Sequence, residues 1–182
     1  LEKNCKIILM SHLGRPKDLL KKGKSIEEIK KELTLKPVAE DLAEILGVDV
    51  AFVEDCIDAQ IPKENDVVLL ENLRFYDEEE KNDIEFAKKL AAHADVYVND
   101  AFGACHRDHA SVSAITKFLP CGAGFLVVKE VRELSRILSP ERPFVAIVAG
   151  AKADKIGALK ALAGKADKIL IAGVLANTFL KA

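Results

Sequence analysis

Short runs of valine, isoleucine and leucine recur at 6–10, 50–53, 67–70, 96–98, 124–127, 144–148 and 169–172, each followed by a polar turn and a segment with helical spacing. Runs that are apolar at successive rather than alternate positions need cover on both faces. The pattern predicts an α/β fold in which a parallel sheet, built from βαβ units, carries helices on both faces. In such a sheet the loops leaving the carboxyl ends of the strands share one edge, and ligands bind there.

Several helix ends are readable. Ser25 with Glu28 three residues on is a capping box, and 34–46 has Pro37 near its start and Gly47 just past its end. Over 83–94, Ile84, Ala87, Leu90 and Ala91 recur on one helical face. A charged amphipathic helix over 129–138 runs into Ser139-Pro140-Glu141-Arg142-Pro143, where the prolines stop it. The expected organisation is a first domain over 1–128, a helix and linker over 129–141, and the first βαβ unit of a second domain over 142–182, with a helix near 153–163. The first residue is Leu1 and the chain ends after an apolar segment, so we expect a fragment.

The net charge of −2, with both signs spread along the chain, gives no bulk attraction to nucleic acid or an anionic membrane, so any anion site must be local. No apolar run reaches the roughly 18 to 20 residues of a membrane span. Cys5, Cys56, Cys105 and Cys121 lie far apart without a Cys-x-x-Cys pair, which fits a reduced cytoplasmic protein.

Polar residues collect where strands end. The first strand runs into Ser11-His12-Leu13-Gly14-Arg15-Pro16, the third into Glu71-Asn72-Leu73-Arg74-Phe75, and the fourth into a loop ending in Cys105-His106-Arg107. Arginine offers a planar fork of donors matched to carboxylate and phosphate oxygens, so three arginines and an imidazole on one rim suit a small, multiply charged anion. After 144–148 comes Ala149-Gly150-Ala151-Lys152-Ala153-Asp154-Lys155, where small residues permit close backbone approach and lysines at a helix start can meet phosphate. The Walker A spacing is absent. Cys105, His106 and His109 lack a fourth partner at zinc-site spacing, so no metal ligand is assigned. The acidic run 77–80 reads as a solvated turn ahead of the next helix.

Four segments in order resemble the phosphoglycerate kinase family: Ser-His-Leu-Gly-Arg-Pro at 11–16, Leu-Leu-Glu-Asn-Leu-Arg-Phe at 69–75, Val-Asn-Asp-Ala-Phe-Gly at 98–103 with His106-Arg107 behind it, and Arg-Pro-Phe-Val-Ala-Ile at 142–147. The resemblance implies a cytoplasmic monomer with two Rossmann-like domains joined by a hinge helix, here 129–138. It also implies glycolytic phosphoryl transfer between 1,3-bisphosphoglycerate and ADP, giving 3-phosphoglycerate and ATP with Mg2+. By motif, His12, Arg15, Arg74 and Arg107 would hold the phosphoglycerate, with Arg74 and Arg107 also serving transfer. Lys152 would steady the moving phosphoryl group, and Gly150, Lys155 and Gly173 would lie at the nucleotide.

The chain also departs from the family pattern. Nothing matches the opening Arg-Val-Asp-Phe-Asn-like strand, and the magnesium-binding segments have no counterpart. Lys152 and Lys155 stand one residue closer than usual, and the usual glycine triplet reads Ala172-Gly173-Val174. A non-catalytic anion-binding module on the same fold is the alternative. A dinucleotide-dependent oxidoreductase is disfavoured, because no strand leads into Gly-x-Gly-x-x-Gly.

Overall fold

The computed structural model describes residues 5–150 and 156–181. The chain divides into two compact units, one ending at Gly124 and the other starting at Phe125. In the first unit, strands β1 (Ile7–Leu9), β2 (Val50–Val53) and β3 (Val67–Leu70) form a parallel sheet in the order β1-β3-β2. Strands β4 (Tyr97–Asn99) and β5 (Cys121–Ala123) form a second parallel pair. Between β1 and β2 lie helices α1 (Pro16–Lys21), α2 (Ile26–Leu33) and α3 (Lys36–Leu46). The one-turn helix α4 (Asp77–Glu80) and α5 (Ile84–Ala91) connect β3 to β4.

β3 explains why its sequence is apolar at every position. Side chains alternate across a strand, so Val67 and Leu69 pack with Leu35 and Ala39 on one face, while Val68 and Leu70 pack with Phe86, Leu90 and Ile115 on the other. All four strand residues are buried. At roughly 1.5–3 kcal/mol per fully buried aliphatic side chain, this strand anchors both layers of the unit.

The expected helices are present with shifted ends. Ser25 Oγ accepts from the Glu28 N–H at 3.2 Å and the Glu28 carboxylate accepts from the Ser25 N–H at 2.8 Å, completing the capping box of α2. Asp83 caps α5 by accepting from the Phe86 N–H at 2.8 Å.

One strand assignment is corrected. The run 124–127 is not a strand: β5 ends at Ala123, and helix α6 covers Phe125–Ser135, continued by a 3-10 turn to Leu138. The apolar residues at 125–128 continue at helical spacing through Val131 and Leu134, so the run opens a helix that starts earlier than expected. The second unit adds a parallel pair, β6 (Val145–Ala149) with β7 (Lys168–Ala172), and helices α7 (Ile156–Ala163) and α8 (Val174–Lys181).

Gly124 closes the first unit with its N–H on the Asn99 carbonyl at 2.8 Å. A Cβ there would lie 2.4 Å from Asp100 Cγ and 2.5 Å from Asp100 Cβ, too near the backbone of that short side chain for a rotamer change to relieve. Gly124→Ala should therefore cost about 1–3 kcal/mol of unfolding free energy, read as a lowered midpoint in a urea titration.

Candidate anion-binding site

Three strand ends deliver the site. β1 leads into the loop carrying His12, with Arg15 at the N-cap position of α1. β3 leads through Glu71 and Asn72 into a 3-10 turn, Leu73–Phe75, that carries Arg74. β4 leads through a second 3-10 turn, Phe102–Ala104, to Arg107. His12, Arg15, Arg74 and Arg107 all line one open depression of about 490 Å3. Ala101, Gly103 and Ala104 line it too, leaving room for a ligand beside Arg107.

Asn72, which is fully buried, joins the first two loops. Its Nδ2 donates to the carbonyls of Leu13 (2.8 Å) and Leu33 (2.9 Å), and its Oδ1 accepts from the N–H groups of Leu13 (3.3 Å) and Arg74 (3.1 Å). The hydrogen-bonding capacity of the amide is filled. The Leu73 N–H adds a bond to the Ser11 carbonyl at 3.1 Å. Glu71 fastens the same turn to α3: its carboxylate accepts from the N–H groups of Leu35 and Asn72 and from Thr34 Oγ1.

Arg74 is buried, and its Nη1 donates to the Gly14 carbonyl at 2.7 Å. Gly14 has φ +66°, and a Cβ there would meet Leu33 Cδ2 at 2.7 Å, so the loop presents this carbonyl only with glycine in place. Arg74 Nε has no hydrogen-bond partner among the described residues and lies 3.7 Å from Glu80 Oε1. Burial lowers the Arg74 pKa, Arg107 and Arg15 push the same way, and Glu80 opposes them. Glu80 also accepts from Lys17 Nζ at 2.9 Å, and this bond is the main cause of its lowered pKa. Arg15 is largely exposed and pairs loosely with Asp18 at 3.7 Å.

The acidic run 77–80 is thus not a solvated turn throughout. It forms α4, in which Glu79 is 2% exposed and Glu80 faces Arg74 and Lys17. Asn72, Glu79, Glu80 and Lys17 escaped the sequence reading. The available signal was weak: a polar pair following an apolar strand, and acids within a few residues of the arginine they balance. Among the described residues no group of three or more His, Cys, Asp or Glu could hold a metal ion.

In the second unit Gly150 and Gly173 follow the paired ends Ala149 and Ala172 of β6 and β7. They are neighbours: a Cβ on Gly173 would sit 3.5 Å from the Gly150 nitrogen, and the Gly150 carbonyl accepts from the Leu175 N–H at 2.9 Å. Lys152 and Lys155 lie outside the described residues.

His12 is held below its ordinary pKa of 6.5 by burial, then by the charges of Arg74, His109 and Arg107, with Glu80 opposing. The unfolded chain therefore binds this proton more readily than the native one. The stability it contributes is intact above the ordinary value and is lost as pH falls through the lowered native value. NMR titration should give a His12 midpoint below 6.5 in the free chain, rising when phosphate is added.

A family model described as phosphoglycerate kinase matches residues 1–182. The chain is 52% identical to the phosphoglycerate kinase of Moorella thermoacetica, over 100% of this chain and 46% of that protein. It is 50% identical to that of Dictyoglomus turgidum, with the same coverage. Among solved structures, phosphoglycerate kinase from Coxiella burnetii superposes with a TM-score of 0.81 at 36% identity, covering 99% of this chain and 45% of that one. The Pyrococcus horikoshii enzyme gives 0.77 at 30% identity, covering 99% and 46%. The chain spans about half the length of the curated relatives it matches.

Proposed function

This chain belongs to the phosphoglycerate kinase family, and we propose that its first unit is the phosphoglycerate-binding half of such a kinase, with His12, Arg15, Arg74 and Arg107 clamping the phosphate and carboxylate of 3-phosphoglycerate or 1,3-bisphosphoglycerate. The observation that carries this reading is the opening of all four side chains into one depression. A planar fork suits both ends of such a substrate, and Arg74, buried with an Nε that has no hydrogen-bond partner among the described residues, is already desolvated and held in place. His12 enters the free site deprotonated near neutral pH and can gain a proton as the anion neutralises the surrounding arginines.

The reaction proposed for the whole protein is reversible phosphoryl transfer between 1,3-bisphosphoglycerate and ADP in glycolysis. The acceptor oxygen, on a carboxylate or a nucleotide phosphate, is already ionised, so no general base is required. Positioning and neutralisation of charge on the transferring group suffice. In this reading Arg74 and Arg107 orient the substrate and balance its charge, while Lys152 and Lys155 carry the phosphates of a magnesium nucleotide. The adjacent backbones of Gly150 and Gly173, at paired strand ends, support a close nucleotide approach there. The organisation proposed is a phosphoglycerate domain over 1–128, a hinge over 129–141 and the start of a nucleotide domain over 142–182, within a cytoplasmic monomer. Among the described residues no helix is long and apolar enough to cross a membrane.

Calorimetric titration of the chain with 3-phosphoglycerate should show saturable binding that Arg74→Ala or Arg107→Ala weakens by about 2–4 kcal/mol, the cost of removing one partner of a buried, hydrogen-bonded charge pair. Unchanged affinity in either variant would remove that residue from the site. A coupled assay on the 182-residue chain should register no turnover; measurable ATP formation would show that this length suffices for transfer.

A further inference from the structure

We propose that Glu79 is a positioning residue for the anion site: its buried carboxylate holds the loop that carries Arg107 at a set distance from Arg74 without itself touching the ligand. The proposal rests on the phosphoglycerate-binding reading of the depression and adds a residue outside its lining.

Glu79 makes its contacts just beyond Arg107. Its Oε1 accepts from Ser111 Oγ at 2.6 Å and lies 3.5 Å from His109 Nδ1, and its Oε2 accepts from the Ser111 N–H at 3.0 Å. The Glu79 carbonyl accepts from the Ala110 N–H at 2.9 Å. Asn82 extends the grip, donating to Asp108 at 2.8 Å and accepting from the Ala114 N–H at 3.0 Å. The next residue of α4 faces the other half of the site: Glu80 sits 3.7 Å from Arg74 Nε and 2.9 Å from Lys17. A single peptide link of α4 thus relates the two guanidinium-bearing segments.

The chemistry argues against a role in stability alone. Taking a carboxylate out of water is costly, and an apolar residue of similar volume commonly serves a core as well or better. A carboxylate at 2% exposure whose partners all lie within residues 109–111 is suited to fixing that loop's conformation. α4 itself is a single turn of Asp-Glu-Glu-Glu, too short and too acidic to persist by propensity, so these contacts also keep Glu79 and Glu80 in place.

Glu79→Gln preserves shape but loses the charge opposite His109 and turns one acceptor into a donor facing donors. Ser111→Ala removes the hydroxyl partner from the other side, and decides the matter if the first variant does not fold. In the 182-residue chain, each should raise the dissociation constant for 3-phosphoglycerate about tenfold. Amide hydrogen exchange over 107–111 should accelerate, and ligand should no longer shift the Arg107 Nε–H resonance while still shifting that of Arg74. Affinity within about twofold of the parent in folded variants, or unchanged loop exchange, overturns the role given to Glu79. A parent chain that fails to bind 3-phosphoglycerate overturns the anion-site reading and this role with it, whereas a parent that binds beside unaffected variants overturns this role alone.

Discussion

Like charges gathered on one rim repel, and the first unit is arranged around that constraint. Two unit charges about 8 Å apart at an effective dielectric near 20 repel by about 2 kcal/mol, so an empty site with several cations needs counter-charges that leave the ligand's place open. The chain meets this in three ways. Glu80 lies beside Arg74 and Lys17, and Asp18 beside Arg15. The Gly14 carbonyl takes one Arg74 donor. His12 gives up its proton more readily than usual, which lowers the positive charge on the rim. Donors held in place in this way lower the ordering cost of the anion capture proposed for the site.

The same constraint explains what could be read from sequence and what could not. The strands at 50–53 and 67–70 have the expected bounds because continuous runs of apolar residues, half of them valine, have few other uses in a short segment. His12, Arg15, Arg74 and Arg107 were legible because each follows directly from a strand end, and a parallel sheet brings such ends to one edge. The run 124–127 misled because a few apolar residues fit either period, and the deciding residues, Val131 and Leu134, lie beyond it. The supporting polar residues were harder still. Asn72 and Glu79 are defined by partners 59 and 32 positions away, and nothing local separates a buried acid from a solvated one.

The second unit shows the opposite balance. β6 and β7 are apolar enough to require cover on both faces, yet Ile147 is 72% exposed and Leu170 51%, while only Ala146, Leu159 and Leu175 are buried among the described residues. Gly150 and Gly173 nevertheless stand side by side, since the register pairing Ala149 with Ala172 is set by the strands themselves. The two glycine backbones are thus brought together by strand pairing alone.

In the proposed reading, binding and transfer are therefore separable. The rim of His12, Arg15, Arg74 and Arg107 is fixed by contacts internal to the first unit: Asn72 across the first two loops, Gly14 and Glu80 on Arg74, and Glu79 on the segment after Arg107. None of these reaches beyond Gly124. Transfer, in the proposed reading, demands a second set of cations held to within a fraction of an ångström, and Lys152 and Lys155 lie outside the described residues. The proposed capture of an acid substrate needs only the first unit, because the groups that fix the four side chains are paired within that one compact unit.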